Sequence, residues 1–414
     1  MTLKLFKRAR VFTPIGGPAP AAGADQGKLA VWEDACLLVE GGRFAVVGTG
    51  ADVRRALAGR PVDQEIDLEG AAVVPGLVDP HTHACFVAKR EAEHSMRLAG
   101  RSYLDILKAG GGILSSVRSV RSATQDELFA ASIELLRRML WYGTTTVEVK
   151  SGYGLDVGTE LRMLHVIGRL GRYGPQTVVG TFMGAHAVPE EHRSDPDAYV
   201  GLVVDGMLPV VRAQGVARFC DVFCEEGVFS VDQTRKILTR ARELGLGIKL
   251  HADEVNDLGG AALAGELRAT SAEHLLAASD EGIDAMARGG VVAVLLPATA
   301  YSLRKPFARA RDMIERGVPV ALATDMNPGS CYCESMPFVI SLAIMCMGLT
   351  PEEALTAATL DAAWAIGMQE SVGSIEPGKL ADFLVLDGEG PGIFAYASGS
   401  RPIRSVWKMG ERVA

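Results

Sequence analysis

Eight short apolar runs, separated by helix-like stretches, constrain this chain more than any other feature. They cover 73–79, 144–150, 177–183, 219–225, 247–251, 269–274, 291–297 and 319–325. Most are rich in β-branched residues, as strands buried on both faces are. Helix signals lie between them. Thr124-Gln125-Asp126-Glu127 and Ser230-Val231-Asp232-Gln233 are capping boxes, and Thr350-Pro351-Glu352-Glu353 joins an N-cap to a first-position proline. Strands joined by helical crossovers predict an α/β fold, a (β/α)8 TIM-like barrel. A doubly wound open sheet is the other arrangement the pattern allows.

The two ends of the chain read differently. Residues 37–48 form a hairpin pattern about Gly41-Gly42, and strand patterns return at 379–387 and 405–409. We therefore expect a small flanking β-sandwich built from both termini, 1–69 and 370–414, around a catalytic barrel at 70–369. The net charge of −8 over 414 residues argues against a nucleic-acid partner, which needs a basic face. The N-terminal basic residues Lys4, Lys7, Arg8 and Arg10 lack the apolar stretch of a signal peptide, and no apolar run reaches membrane-spanning length. Seven cysteines without framework spacing fit free thiols in a reducing cytoplasm. Cys331 and Cys333 are open to reading as ligands or as a redox pair, but Cys-x-Cys alone is a weak signal.

Active sites of such barrels sit at the C-terminal ends of the strands. Five of the eight histidines fall there: His81, His83, His186, His251 and His274, with Lys150, Glu225, Glu254 and Asp325 beside them in the sequence. His81 and His83, two apart at a strand end, project to one side. Taken singly, these residues have plain structural readings: loop histidines, a hydrogen-bonded core histidine at His251, a helix N-cap at Asp325. Together, His81, His83, His251 and Asp325 make a metal set. Three imidazoles and a carboxylate suit zinc or iron, because magnesium and calcium prefer oxygen shells. Lys150 reads as the partner of a carboxylate such as Glu148 or Glu225.

The strings HTHACFVAKRE (81–91), EVKSGYGL (148–155), TFMGAHAVPEE (181–191), KLHADE (249–254), SAEHL (271–275), ATDMNPGSC (323–331) and GSIEPGKLADFLVLD (373–387) carry a resemblance. The chain resembles the metal-dependent amidohydrolase superfamily and, within it, the imidazolonepropionase family. That resemblance implies hydrolysis of the cyclic amide of 4-imidazolone-5-propanoate to N-formimino-L-glutamate, the third step of histidine degradation. It also implies one metal ion rather than two, since the fourth strand, ending at 223–226, offers no lysine for carboxylation. By the same resemblance Glu254 shuttles the proton, with Asp325 also catalytic; His274 reads either as catalytic, polarising the carbonyl or orienting the water, or as a structural histidine behind the ligands. Arg90 anchors the propanoate, the alternative being a surface salt bridge with Glu91 or Glu93, and Tyr153 and His186 contact the substrate. From its position after Asp325, the loop of Asn327, Gly329 and Ser330 offers backbone and side-chain donors to the ligand, and Tyr103 is a weaker candidate that reads better as an aromatic core position. A homodimer is the implied assembly. A nucleobase deaminase on the same metal cup is the rival enzyme, and a non-catalytic scaffold the rival of another class.

Overall fold

The computed structural model describes residues 2–101, 105 and 110–414; Tyr103 lies outside the described residues. The first strands are β1 (Leu3–Pro14), β2 (Leu29–Glu40), β3 (Arg43–Gly48), β4 (Gln64–Asp67) and β5 (Ala72–Pro75). The barrel follows as β6 (Leu77–Asp79), β7 (Thr144–Lys150), β8 (Thr177–Ala185), β9 (Ala217–Cys224), β10 (Gly247–Ala252), β11 (Ser271–His274), β12 (Val292–Leu295) and β13 (Val320–Leu322). The chain ends with β14 (Phe383–Leu386), β15 (Ile403–Lys408) and β16 (Glu411–Arg412).

Strands β6 to β13 pair in sequence order, each parallel to the next. Parallel neighbours require crossovers, and the three capping signals open helices that supply them or follow them: Gln125–Trp141, Val231–Glu243 and Pro351–Ala357. The cap hydroxyls of Thr124, Ser230 and Thr350 accept from the backbone three residues on, and the acidic or amide side chain there returns the bond. The barrel closes just beyond its strand ends. Asp325 N–H donates to His81 O (3.1 Å), His83 N–H donates to Met326 O (2.8 Å), and Thr324 donates through N and Oγ1 to the Asp79 carboxylate (3.1 and 2.6 Å). The first and last strands therefore meet at the level where polar side chains emerge.

The terminal strands form one mixed sheet in the order β16-β15-β14-β5-β1-β2-β3, with β4 also on β1. Its sandwich-like packing comes from a single sheet curling over its own core. Phe6 of β1 lies edge-on to Phe383 (5.0 Å) and Trp407 (4.9 Å), and Phe44 of β3 reaches Phe383 at 6.2 Å. Backbone bonds from Phe44 N to Lys379 O and from Ala381 N to Gly42 O tie the sheet's far end back to the C-terminal segment.

The run read as one strand over 73–79 is two strands in different sheets. β5 pairs with β1 and β14, and β6 pairs with β7. Gly76 is the switch between them. A Cβ there would lie 2.7 Å from Thr145 Cγ2, inside van der Waals contact, and both neighbours are held by their own sheets. Gly76→Ala is expected to destabilise the protein by about 1–3 kcal/mol through overpacking. Denaturant unfolding checks this, and a midpoint equal to wild type would remove the steric argument.

Candidate metal centre and active site

His81 and His83 follow β6, His186 follows β8, His251 lies on β10, His274 ends β11 and Asp325 follows β13. All six side chains are buried. Ring nitrogens of His81, His83 and His251 lie within 4.8 Å of one another. His83 Nε2 and His251 Nε2 are 3.3 Å apart. Asp325 Oδ1 stands 3.5 Å from His81 Nε2 and 3.7 Å from His83 Nε2. The structure thus brings together the four residues expected as metal ligands.

Their chemistry fits a cation. His81 Nδ1 lies 2.8 Å from Glu273 Oε2, and His251 Nδ1 lies 3.1 Å from Asp221 Oδ1. A carboxylate only accepts, so each Nδ1 carries the proton and the Nε2 lone pairs face inward. His81 Nε2 is buried with no hydrogen-bond partner among the described residues. Burial, reinforced by neighbouring positive charge, pushes His83 and His251 well below the usual imidazole range, so both are neutral, the form that ligates metal. His81 goes the other way. Burial and Lys150 oppose its charge, yet Glu273 and Asp325 outweigh them and lift its pKa to about 9. Burial pushes Asp325 up, but His81, His274 and the Thr299 hydroxyl (2.7 Å) overcome it and hold the carboxyl at about 2. The cluster therefore demands a positive charge between His81 and Asp325, which a proton or a metal ion meets.

Beneath the histidines the barrel interior holds ions in place of the usual aliphatic layer. Lys150 Nζ contacts Asp221 (2.7 Å), Glu148 (2.8 Å) and Glu273 (3.2 Å). Lys249 Nζ contacts Glu148 (2.8 Å), Glu273 (3.1 Å) and Pro80 O (3.0 Å). All five side chains are fully buried. Taking each ion out of water costs several kcal/mol, so this network is weak as a source of stability. Its geometric effect is plain: it fixes the carboxylates that orient His81 and His251. Lys150 pairs with Glu148 as expected but not with Glu225. Glu225 instead accepts from Val255 N (2.9 Å) and Asn256 Nδ2 (3.2 Å) in the loop after β10. Lys249, Asp221 and Glu273 were not expected from the sequence. Lys249 alone has a local signal, alternation: it precedes His251 by two, as Glu148 precedes Lys150, so each pair shares a strand face.

Glu254 lies on the loop beyond His251, with Oε1 3.6 Å from His274 Nδ1. Burial first, then Asp325 and Glu225, raises its pKa against the opposing pull of His274 and His81. The loop is set by Asp253, whose carboxylate accepts from Leu258, Gly260 and Ala261 N–H groups at 2.8–3.1 Å. Asp253, His274 and Asp325 all have positive φ, at 49°, 73° and 50°. Non-glycine residues in this region carry backbone strain, here at the strand ends that aim the polar groups.

His186 stacks on His83 with centroids 4.7 Å apart, and its Nδ1 lies 3.2 Å from Gly152 O. Tyr153 packs 5.4 Å from His186 and 5.9 Å from His83. The Tyr153 turn hangs on buried Glu160, which accepts from Gly152, Gly154 and Leu155 N–H groups at 2.7–3.2 Å. Asn327 is spent on its own loop. Oδ1 accepts from Gly329 N (2.8 Å), Ser330 N (2.7 Å) and Cys331 N (3.3 Å), and Nδ2 donates to Asp325 O and Ser330 Oγ. All three backbone N–H groups, those of Gly329 and Ser330 included, thus serve the turn. Arg90 forms a two-bond fork with Glu93 (2.9 and 2.7 Å), the ion pair weighed as the alternative to its anchor role. Its guanidinium also lies against Gly329, where a Cβ would come within 2.7 Å of Arg90 Cζ.

The Amidohydrolase family model matches residues 72–413. Imidazolonepropionase from Desulfotalea psychrophila is 54% identical over 100% of both chains. Imidazolonepropionase from Syntrophobacter fumaroxidans is 55% identical over 99% of this chain and 96% of its own. This chain belongs to the imidazolonepropionase family. Solved relatives are more distant. E. coli guanine deaminase superposes with a TM-score of 0.74 at 15% identity, covering 100% of this chain and 99% of its own. A zinc-bound adenosine deaminase from Xanthomonas campestris gives 0.72 at 19%, covering 99% and 92%. At such identities they establish the shared fold, barrel plus terminal sheet, and nothing finer.

Proposed function

We infer that this member of the imidazolonepropionase family is a metal-dependent hydrolase that opens the ring amide of 4-imidazolone-5-propanoate, giving N-formimino-L-glutamate. The observation that carries the reading is the full-length relation, at 54–55% identity, to chains named for that reaction. His81, His83, His251 and Asp325 would hold one ion, and their nitrogen-rich donor set favours zinc or iron. When bound, such an ion supplies Lewis acidity, lowering the pKa of water from about 15.7 to about 7 and polarising a carbonyl.

The remaining work falls to side chains. Glu254, with its raised pKa, takes the proton of the attacking water and passes it to the departing ring nitrogen. His274, 3.6 Å from that carboxylate, orients it and can donate to the developing oxyanion. Tyr153 and His186 form an aromatic wall beside the histidines, against which a planar ring can lie. Asn327 organises the loop so that Gly329 admits the Arg90 guanidinium and the Ser330 hydroxyl keeps its proton for the ligand. Arg90 receives the propanoate.

Charge-assisted hydrogen bonds are worth about 1.5–3 kcal/mol, so Arg90→Ala is expected to raise KM roughly tenfold or more. Steady-state kinetics should show kcat nearly unchanged; an unaltered KM would reassign the anchor. A deaminase reading lacks this support, since a neutral base has no carboxylate for Arg90. Purified enzyme with its metal measured should turn over imidazolonepropanoate. Ammonia release from guanine, cytosine or adenosine, with no imidazolonepropanoate turnover, would overturn the reading.

We place the enzyme in the cytoplasm as a homodimer acting on this small molecule, without nucleic-acid or membrane partners. The acidic net charge and free thiols support this, and the dimer follows the family resemblance. No helix among the described residues is long and apolar enough to cross a membrane. A single-protomer mass in sedimentation equilibrium would refute the dimer.

A further inference from the structure

Cys331 and Cys333 are used by neither the metal site nor the substrate reading. Both are free thiols lining a cavity of about 790 Å³, whose wall also includes His94, Tyr301 and Tyr332. Cys331 is 2% exposed, and Cys333 is half-buried. Each thiol donates to a backbone carbonyl, Cys331 to Thr324 O (3.3 Å) and Cys333 to Ser335 O (3.8 Å). The neighbouring Cys331 thiol favours the thiolate at Cys333 and holds it below the usual thiol range, whereas Cys333 and burial push Cys331 well above it. Cys333 is thus the less buried of the two, on the same cavity wall as Cys331 two residues away, an arrangement that suits an attacking and a resolving cysteine.

Cys331 is also part of the turn after Asp325. Its N–H donates to Asn327 Oδ1 (3.3 Å), its carbonyl accepts from Asn327 N–H (2.8 Å), and its thiol donates to Thr324 O (3.3 Å). Asn327 in turn holds Gly329 and Ser330, and Gly329 packs on Arg90. A disulfide needs Cα atoms about 4.4–6.8 Å apart, and two residues of extended chain span up to about 7 Å. Because the Cys331 N–H and carbonyl are both bonded to Asn327, any backbone shift that closes the small Cys-x-Cys ring acts directly on Asn327.

We propose that Cys331 and Cys333 form a redox-active dithiol, which a low-molecular-weight disulfide of the glutathione type oxidises to an internal disulfide that distorts the Asn327–Ser330 turn. The Cys333 thiolate attacks one sulfur of RS–SR, making a mixed disulfide and releasing RS⁻. Cys331 gives up its proton and attacks the Cys333 sulfur, expelling the second RS⁻. Both RS⁻ are protonated. Two protein thiols and RSSR become one protein disulfide and two RSH, with two electrons passing to the small disulfide. The effect on substrate affinity rests on the functional reading above; formation of the disulfide does not.

The test is a titration of metal-loaded enzyme against defined ratios of reduced and oxidised glutathione, followed by alkylation and peptide mapping. The segment containing Cys331 and Cys333 should lose two hydrogens and resist alkylation. Cys331→Ser should trap glutathione on Cys333, whereas Cys333→Ser should leave Cys331 unmodified. The oxidised enzyme should show a KM for imidazolonepropanoate raised at least about fivefold, restored by dithiothreitol. Full alkylation of both thiols after excess oxidised glutathione overturns the dithiol. A disulfide with unchanged KM overturns its coupling to the turn. If no imidazolonepropanoate turnover is found in the reduced enzyme, the functional reading fails, and the mapping still decides the dithiol.

Discussion

Glu254→Gln is expected to lower kcat by about 10²- to 10⁴-fold while leaving the bound metal unchanged. Glutamine keeps the shape and the contact with His274 but cannot carry a proton. The carboxylate is placed for proton transfer by three features: burial that raises its pKa, His274 at 3.6 Å, and a loop pinned by Asp253. It lies outside the nitrogen cluster of His81, His83 and His251, so the ion should stay. Steady-state kinetics with elemental analysis of the same sample separates the two effects. A kcat close to wild type would remove Glu254 from the mechanism, and loss of metal would make it a ligand instead.

Asp325→Ala is expected to remove metal and activity together. Asp325 supplies the only carboxylate in the proposed ligand set, and the cluster calls for positive charge beside it. Alanine also strands the Thr299 hydroxyl and sits poorly at φ +50°. Asp325→Asn is the companion variant, because asparagine tolerates left-handed backbone and keeps the Thr299 bond while losing the negative charge. Both variants should be purified metal-free with melting transitions as cooperative as wild type. Stoichiometric metal in either would contradict the ligand role.

Much of the barrel was legible because its strands are short, β-branched and spaced by capped helices. The runs at 144–150 and 247–251 match β7 and β10 almost residue for residue. The run at 73–79 was misread as one strand because Val73, Val74, Leu77 and Val78 are equally apolar; Pro75-Gly76 is the local break between them, and only the two sheets show that it separates two cores. At the site, histidines at strand ends stood out because imidazoles are rare in apolar strands. The ion network beneath them went unread except for the Lys150–Glu148 pair. A charged residue inside a strand is meaningful only once its partners are known, and Glu148, Asp221, Lys249 and Glu273 come from four strands. Asn327 was read as a substrate donor from its loop position, yet its side chain holds the turn.

Local chemistry alone thus determined which segments become strands, where helices begin and which donor atoms stand at the strand ends. Patterning and capping act over a few residues, so they are visible in order along the chain. Barrel closure decided the rest. His81 and His83 leave the first barrel strand and Asp325 follows the last, 242 residues beyond His83 in numbering. They share one cluster only because Asp79 holds Thr324 and His81 O accepts from Asp325. A cation site needs donors within a few ångströms of each other, and only the closed ring of strands brings the two ends of the barrel that near.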